Sequence, residues 1–305
     1  MSILDPMKWA LILSGGGARG LAHIGVLEAL EELDVPRPSL VVGCSMGAII
    51  GGLYATGMPP AEMKAFMGKD FSVTDFMSDP SKSLPFGAFS RLLRIGKGIK
   101  NAFSGTGLDS GEKLGELLDE MTRGARFGHT AIPFACNATD LCTGREVVPE
   151  EGPIAEAIRA SASFPGVFSP VETDGALLAD GYLSHNTPVW IARKRGYARI
   201  LAVYLDRFGR AGPEDLGSPL DVVLRAFDCA LNGVKPRAID RPTTRITASN
   251  DRSPLDFDRP LEQITFGYEA TMGQRAVLDA FFTPGFRGMI RRGILARNER
   301  KEHTR

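Results

Sequence analysis

The first 55 residues contain two glycine-rich turns, and each turn lies between an apolar run and a helix-forming stretch. Residues 8–14 and 40–42 are short and almost entirely apolar, which is typical of buried strands. Residues 21–33 have apolar side chains at helical spacing, and residues 46–55 also favour a helix. This alternation of strand and helix indicates a parallel sheet with helices on both faces. We therefore predict an α/β protein with three α/β/α layers and a mostly parallel central sheet.

The remainder of the chain continues this alternation and ends in a mostly helical portion. Asp174-Gly175 predicts a turn, and the residues before and after this turn are expected to pair as two strands. The further predicted elements are strands at 131–139, 146–148, 171–179 and 200–205, and helices at 154–161, 189–194, 220–231 and 261–282.

No internal repeat or long low-complexity linker divides the 305 residues. The alternation is interrupted only at residues 66–110, which are rich in Ser, Gly, Pro and Asp. We expect a single domain over residues 1–305. It has a core at about 8–205 with an insertion at 66–110, and a helical, basic C-terminal extension at about 207–305.

The second glycine-rich turn carries a candidate nucleophile. Gly43-Cys44-Ser45-Met46-Gly47 fits the pattern G-x-S-x-G between a strand and a helix, which is the context of a nucleophile elbow. Gly43 and Gly47 permit a strained turn and close packing of the strand against the helix. Ser45 would stand at the helix N-terminus, where N–H groups favour negative charge. We predict that Ser45 is catalytic; the alternative is a serine that only caps the helix.

The first turn, Gly15-Gly16-Gly17-Ala18-Arg19-Gly20, has two interpretations. As a dinucleotide-binding fingerprint it lacks the acidic residue at the end of the second strand, because Asp34 precedes that strand. Alternatively, the loops after neighbouring parallel strands face one substrate carbonyl and supply N–H donors to its oxyanion. We predict an oxyanion hole made by Gly15, Gly16 and Gly17 and reinforced by Arg19. Anion binding at a helix N-terminus is the simpler alternative.

A serine nucleophile needs a base, and two residues are candidates. Asp180 follows the apolar run 176–179 and precedes Gly181, and desolvation would raise its pKa towards the range of a useful base. Ser45, Asp180 and His185 follow the chain order of an α/β-hydrolase triad, although Asp180 and His185 are too close for the usual separate loops. The residues alone leave a Ser–Asp dyad and a Ser–Asp–His triad open. His23, within the first helix, is expected to be a packed structural histidine.

Four blocks of the chain together resemble the patatin-like phospholipase family and occur in that family's order. They are the oxyanion loop 15–20, the elbow 43–47, the A-S-x-x-x-P block Ala160–Pro165, and the aspartate segment Asp180-Gly181 with Asn186 and Pro188.

The resemblance covers about residues 8–205. It implies a serine hydrolase of acyl-lipid esters, of phospholipase A or lysophospholipase type, with Ser45 as nucleophile and Asp180 as base. It also implies that no metal or cofactor takes part, and that His185 is a neighbour of the site. Tyr182 departs from the family, which usually carries a small residue after Asp-Gly, and this puts the shape of that loop in question.

Composition limits the other classes of function. The formal charge is zero, with 36 basic and 36 acidic residues, so no overall field attracts nucleic acid. No apolar run reaches the length of about 18 residues that spans a bilayer. The four cysteines form no C-x-x-C pair, which favours buried, inert thiols in a reducing compartment. The chain shows no signal peptide, and we expect a cytoplasmic protein.

Two basic segments favour peripheral association with an anionic membrane surface. Residues 89–103 have an apolar face opposite Arg91, Arg94 and Lys97, although they would equally suit a helix packed on the same domain. Residues 285–305 hold seven Lys and Arg side chains against two Glu. The partner expected from the resemblance is an acyl lipid, and a lipid-binding module without catalysis is the remaining alternative. The sequence leaves the oligomeric state, the acyl chain and the head group open.

Overall fold

The computed structural model describes residues 8–68, 107–205, 211–216, 219–232, 237–254 and 256–285. The predicted basic segment 89–103 and nearly all of the basic tail lie outside these residues. The strands are β1 Trp9–Leu13, β2 Leu40–Gly43, β3 Gly107–Asp109, β4 Phe134–Cys136, β5 Ala138–Asp140, β6 Arg145–Val147, β7 Gly166–Phe168, β8 Val171–Thr173, β9 Ala176–Asp180, β10 Arg199–Tyr204 and β11 Thr244–Thr247. The helices are α1 Ala22–Glu32, α2 Met46–Ala55, α3 Pro60–Met67, α4 Glu112–Thr122, α5 Ile154–Ser161, α6 Val189–Lys194, α7 Pro219–Asn232, α8 Pro260–Gly273 and α9 Arg275–Phe282. None of these described helices has the length and apolar character needed to span a bilayer.

A parallel sheet in the order β11-β10-β1-β2-β4 forms the centre of the protein. Successive side chains of a strand point to opposite faces of its sheet. In β1, Leu11 and Leu13 pack into the core beneath α1, α2 and α5, whereas Ala10 and Ile12 pack against the residues of α6. Both faces of the sheet are therefore covered by helices, which confirms the predicted three-layer α/β/α fold.

An antiparallel sheet in the order β6-β5-β9-β8 adjoins the central sheet. A single residue, Asn137, separates β4 of the central sheet from β5 of this second sheet. The predicted turn at Asp174-Gly175 joins β8 to β9, and these two strands pair in antiparallel register. Asp180, the last residue of β9, pairs with Ala138 of β5. The candidate base therefore lies where the second sheet meets the central one.

The C-terminal part of the chain differs from the prediction in two respects. The helix predicted over 261–282 is two helices, α8 and α9, which are separated at Gln274. The amide Nε2 of Gln274 donates to the carbonyl of Thr247 at 2.8 Å and to that of Ala270 at 2.8 Å. The second difference is β11, which was not predicted and which extends the central sheet by pairing in parallel with β10.

The cysteine prediction was right for two thiols and wrong for two. Cys44 and Cys136 are buried, and burial raises the pKa of each, in the case of Cys136 to about 12. Cys142 and Cys229 are exposed; Cys142 lies in the β5–β6 turn and Cys229 lies in α7. The sequence carried no periodic signal that distinguished the exposed pair from the buried pair.

Candidate active site

Ser45 forms the tight turn between β2 and α2, as the elbow pattern predicted. Its backbone angles are φ 53° and ψ −124°, a combination that is unfavourable for a residue with a side chain. The turn moves the serine out of the strand and places it immediately before the first residue of α2. Gly43 ends β2, and the N–H of Gly47 donates to the carbonyl of Cys44 at 2.8 Å, which closes the turn. Ser45 is half-buried.

The side chains of Ser45 and Asp180 are in direct contact. The hydroxyl Oγ of Ser45 donates to Oδ2 of Asp180 at 2.7 Å. The other carboxylate oxygen, Oδ1, accepts the N–H of Tyr182 at 2.8 Å. The fold thus joins the predicted nucleophile and the predicted base although 135 residues separate them in the sequence.

Asp180 is fully buried, and its environment makes it a stronger base than an ordinary carboxylate. Burial disfavours the charged form and raises the pKa of Asp180 to about 7, although the hydrogen bonds from Ser45 and Tyr182 oppose the shift. A general base works best when its pKa lies near the working pH. Asp180 is therefore suited to accept the Ser45 proton near neutral pH.

The end of α5 contacts the backbone of both residues. The hydroxyl of Ser161 accepts the N–H of Ser45 at 3.0 Å, and the carbonyl of Ser163 accepts the N–H of Asp180 at 3.0 Å. Both serines are completely buried. They belong to the A-S-x-x-x-P block, which the sequence singled out without assigning either serine a contact. Residues 161–163 therefore help to set the distance between Ser45 and Asp180.

The glycine loop after β1 approaches Ser45, the candidate nucleophile, at Gly15. A Cβ atom placed on Gly15 would lie 3.1 Å from the Cβ of Ser45. The N–H of Gly15 donates to the carbonyl of Asn186 at 3.1 Å, so this N–H is already bonded. The N–H groups of Gly16 and Gly17 donate no hydrogen bond to any residue that the structure describes. The N–H groups of Gly16 and Gly17 are therefore available to a bound group, whereas that of Gly15 is not.

Arg19 and Gly181 support the loops by backbone contacts. The carbonyl of Arg19 accepts Nε2 of Gln263 at 3.1 Å, which connects the glycine loop to α8. The carbonyl of Gly181 accepts Nδ2 of Asn137 at 3.1 Å. The electrostatic role of the Arg19 guanidinium stays a prediction.

Among the described contacts, neither His185 nor His23 forms a side-chain hydrogen bond with Ser45 or Asp180. Nδ1 of His185 lies 2.7 Å from Oε2 of Glu146, and this hydrogen bond raises the pKa of His185. His23 is completely buried and contacts the carbonyl of Ser14 at 2.8 Å, and burial lowers its pKa to about 4, as expected of a packed histidine. Within the described ranges, no three His, Cys, Asp or Glu side chains are grouped as ligands of a metal ion would be.

Residues 11–193 match the family model of the patatin-like phospholipases. The chain belongs to the patatin-like phospholipase family. The matched residues include both glycine turns, Ser45 and Asp180.

Two relatives show how much of a longer protein the patatin-like region forms. Lysophospholipase NTE1 of Cryptococcus neoformans is 32% identical over 211 residues, which are 68% of this chain and 12% of the fungal protein. An uncharacterised NTE family protein of Mycobacterium bovis is 36% identical over 180 residues, 59% of this chain and 44% of that protein. The chain thus spans less than half the length of these curated relatives.

Two solved structures are similar to the patatin-like chain at low sequence identity. VipD from Legionella pneumophila is 16% identical with a TM-score of 0.47, and the match covers 90% of this chain and 67% of VipD. The type III effector ExoU is 18% identical with a TM-score of 0.47, and the match covers 94% of this chain and 54% of ExoU.

Proposed function

We propose that this protein is a lipid acyl hydrolase of phospholipase A or lysophospholipase type, with Ser45 as nucleophile and Asp180 as base. The observation that carries the proposal is the 2.7 Å hydrogen bond from Ser45 Oγ to a fully buried carboxylate whose pKa lies at about 7. Membership of the patatin-like phospholipase family supports a lipid ester as the substrate. A relative named as a lysophospholipase supports a substrate with a single acyl chain.

In the first half of the reaction, Asp180 Oδ2 takes the hydroxyl proton as Ser45 Oγ attacks the ester carbonyl carbon. The carbonyl oxygen becomes an oxyanion in a tetrahedral intermediate. When the intermediate collapses, the bond to the leaving alcohol breaks and Asp180 returns the proton to that oxygen. The product is an acyl ester of Ser45 and a free alcohol.

In the second half, the roles repeat with water. Asp180 accepts a proton from a water molecule, whose oxygen attacks the acyl carbon. Collapse of the second intermediate breaks the bond to Ser45 Oγ, and Asp180 protonates that oxygen. Free fatty acid is released and both residues return to their initial states.

The glycine loop would stabilise the oxyanion. In this proposal Gly16 and Gly17 supply the N–H groups, Gly15 holds the loop through Asn186, and Arg19 adds positive charge. Removing one oxyanion donor costs about 2.7–4 kcal/mol in a well-studied serine enzyme. The N-terminus of α2 adds a favourable dipole at Ser45.

A fluorophosphonate probe tests the proposed nucleophile. The wild type, Ser45→Ala, Asp180→Asn and the exposed-site control His129→Ala are labelled, and each is assayed on lysophosphatidylcholine and phosphatidylcholine. We expect labelling and hydrolysis in the wild type and the control, and neither in Ser45→Ala. Labelling that survives Ser45→Ala would sink the proposal. The ratio of the two hydrolysis rates distinguishes a lysophospholipase from a phospholipase A.

We also propose that the protein binds anionic membrane surfaces peripherally through its two basic segments. The arginines and lysine of segment 89–103 and the basic tail carry this expectation, and it rests on sequence alone. Sedimentation with vesicles containing phosphatidylserine tests it. Binding that is unchanged after deletion of 285–305 together with neutralisation of Arg91, Arg94 and Lys97 contradicts it.

A further inference from the structure

The segment Asp180–Asn186 connects two parts of the proposed chemistry. Its first residue is the base, and the carbonyl of its last residue accepts the N–H of Gly15 at 3.1 Å. Gly15 in turn lies against the nucleophile, since a Cβ placed on it would be 3.1 Å from that of Ser45. A displacement of this segment would therefore move the base and the glycine loop relative to Ser45 at the same time.

Asn137 holds the segment from the junction of the two sheets. Its side chain is completely buried, and Nδ2 lies 3.1 Å from the carbonyl oxygen of Gly181 and 3.0 Å from that of His185. These carbonyls mark the two ends of the turn within the segment. A single amide thus fixes the distance between the residue that follows the base and the residue that precedes Asn186.

Glu146 and His185 extend this contact to the far side of the segment. Oε1 of Glu146 accepts Nδ2 of Asn137 at 2.8 Å, and Oε2 lies 2.7 Å from Nδ1 of His185. The Glu146 side chain is 13% exposed and that of His185 34% exposed, so the pair is partly shielded from water. The carboxylate bridges a buried amide and an imidazole, and both belong to the scaffold of the same turn.

We infer that Asn137, Glu146 and His185 form a positioning network that holds segment 180–186, and through it Asp180 and the glycine loop, in register with Ser45. The inference rests on the proposed function and adds to it a role for a histidine that the dyad does not use. His185 acts through Glu146 on the geometry of the site and is not a base.

The expected effect of the network is on kcat, because none of its side chains contacts Ser45 or the carboxylate of Asp180 within the described residues. Misplacement of catalytic groups by about 1 Å costs up to about a hundredfold in rate. Loss of the His185 side chain leaves Glu146 and Asn137 in place, so we expect about a tenfold fall in kcat for His185→Leu. KM for lysophosphatidylcholine should change less than twofold.

The experiment uses the full chain and four proteins: wild type, His185→Gln, His185→Leu and the control His129→Leu. The glutamine amide can still donate to Glu146, whereas leucine cannot. We expect His185→Gln to keep most of the wild-type kcat, His185→Leu to lose about tenfold, and the control to be unchanged. The pH midpoint of activity, near 7, should be the same in all four, because the base is untouched.

A double-variant comparison provides a readout that general destabilisation would not give. If Glu146 and His185 act as one unit, Glu146→Ala with His185→Leu should have the same kcat as Glu146→Ala alone. The ion pair of Glu28 and Lys64, which are 2.9 Å apart, serves as a matched control for loss of a partly exposed pair. Removing it should leave kcat unchanged.

The outcomes separate the inference from the proposed function. Hydrolysis that persists in Ser45→Ala defeats the proposed function whatever the His185 variants do. With a Ser45-dependent wild type, three results overturn the network alone. These are loss of phosphonate labelling in His185→Leu as complete as in Asp180→Asn, His185→Leu activity within twofold of wild type, and equal losses in the Gln and Leu variants.

Discussion

Asp180 and His185 lie five residues apart on one turn, and the pKa of each is raised, with opposite chemical consequences. Asp180 is completely buried, and desolvation raises its pKa to about 7. His185 is partly exposed, and its hydrogen bond with Glu146 raises its pKa. A carboxylate with a raised pKa becomes a better base near neutral pH, whereas an imidazole with a raised pKa is protonated to a greater extent there and is less available as a base. The direction of a pKa shift therefore identifies the base only together with the type of group.

The largest effect should come from removing the charge of Asp180. Asp180→Asn keeps the shape of the side chain but leaves Ser45 Oγ without a proton acceptor. Loss of the base in serine hydrolases costs about 10⁴-fold or more in kcat. We expect a loss of that size in kcat/KM on lysophosphatidylcholine, and a change below about twofold for His185→Gln. An equal loss of kcat/KM in both variants would contradict the distinction between Asp180 as the base and His185 as a positioning residue.

The second effect concerns stability: the same substitution that lowers activity should raise the free energy of unfolding. The folded-state pKa of Asp180 is raised, so its contribution to stability is present below the unfolded pKa of about 3.9 and is lost as pH rises through about 7. Asp180→Asn removes this loss, because the amide stays neutral. We expect the variant to be more stable than wild type by up to about 4 kcal/mol at pH 8 and by little at pH 4. Denaturant unfolding at both pH values measures the difference.

The third effect is the pH dependence of the wild-type rate. Since Asp180 must be ionised to accept the proton, kcat/KM should follow the ionised fraction of Asp180, which is about one half at pH 7 and about 1% at pH 5. The rate should therefore fall about fiftyfold between these pH values. The midpoint of this acidic limb of the kcat/KM profile should be unchanged in His185→Gln. A midpoint that moves with the His185 substitution would assign the limb to the imidazole.

The smallest effect tests the nucleophile without altering the base. Ser161→Ala removes the acceptor of the Ser45 N–H and leaves a strained turn with an unsatisfied donor. A hydrogen bond of this kind is worth about 1 kcal/mol, so kcat should fall about fivefold to tenfold with an unchanged pH midpoint. Thr271→Val serves as the control, since it removes a buried hydroxyl whose one side-chain hydrogen bond among the described residues goes to a carbonyl of its own helix, that of Gly267 at 2.8 Å.

Helices near the site were predicted with their observed bounds, because local chemistry decides where they begin and end. The helix at 154–161 starts after Pro153, and the helix at 189–194 starts after Pro188. A helix does not extend through a proline towards the N-terminus, because proline lacks the backbone N–H and its ring clashes with the preceding turn. Proline is, however, well tolerated at the position immediately before a helix. The elbow helix begins at Met46 because the strained backbone of Ser45 interrupts the helical conformation.

Elements that depend on distant contacts were not predictable in this way. In β11 only Ile246 is fully buried, so four residues present too little apolar pattern to indicate a strand. The break at Gln274 depends on its contact with Thr247, which lies 27 residues earlier. Neither feature has a local sequence signal.

The residues of the candidate site divide in the same way, into those that a local motif predicts and those that depend on distant contacts. Ser45 and Asp180 were predicted because each stands where a motif meets a strand end. Ser161 and Asn137 were not assigned roles, because their contacts with Ser45 and Gly181 span 116 and 44 residues. A lone buried asparagine resembles any other until its partners are known.

The long sequence separation of the dyad has a consequence for the synthesis of the protein. The elbow leaves the ribosome 135 residues before its base. At a translation rate of about 5–20 residues per second, Ser45 is synthesised roughly 7–27 s before its proposed base. During that interval the nascent chain carries Ser45 without Asp180, so the proposed dyad cannot form until the second of the two residues has been synthesised.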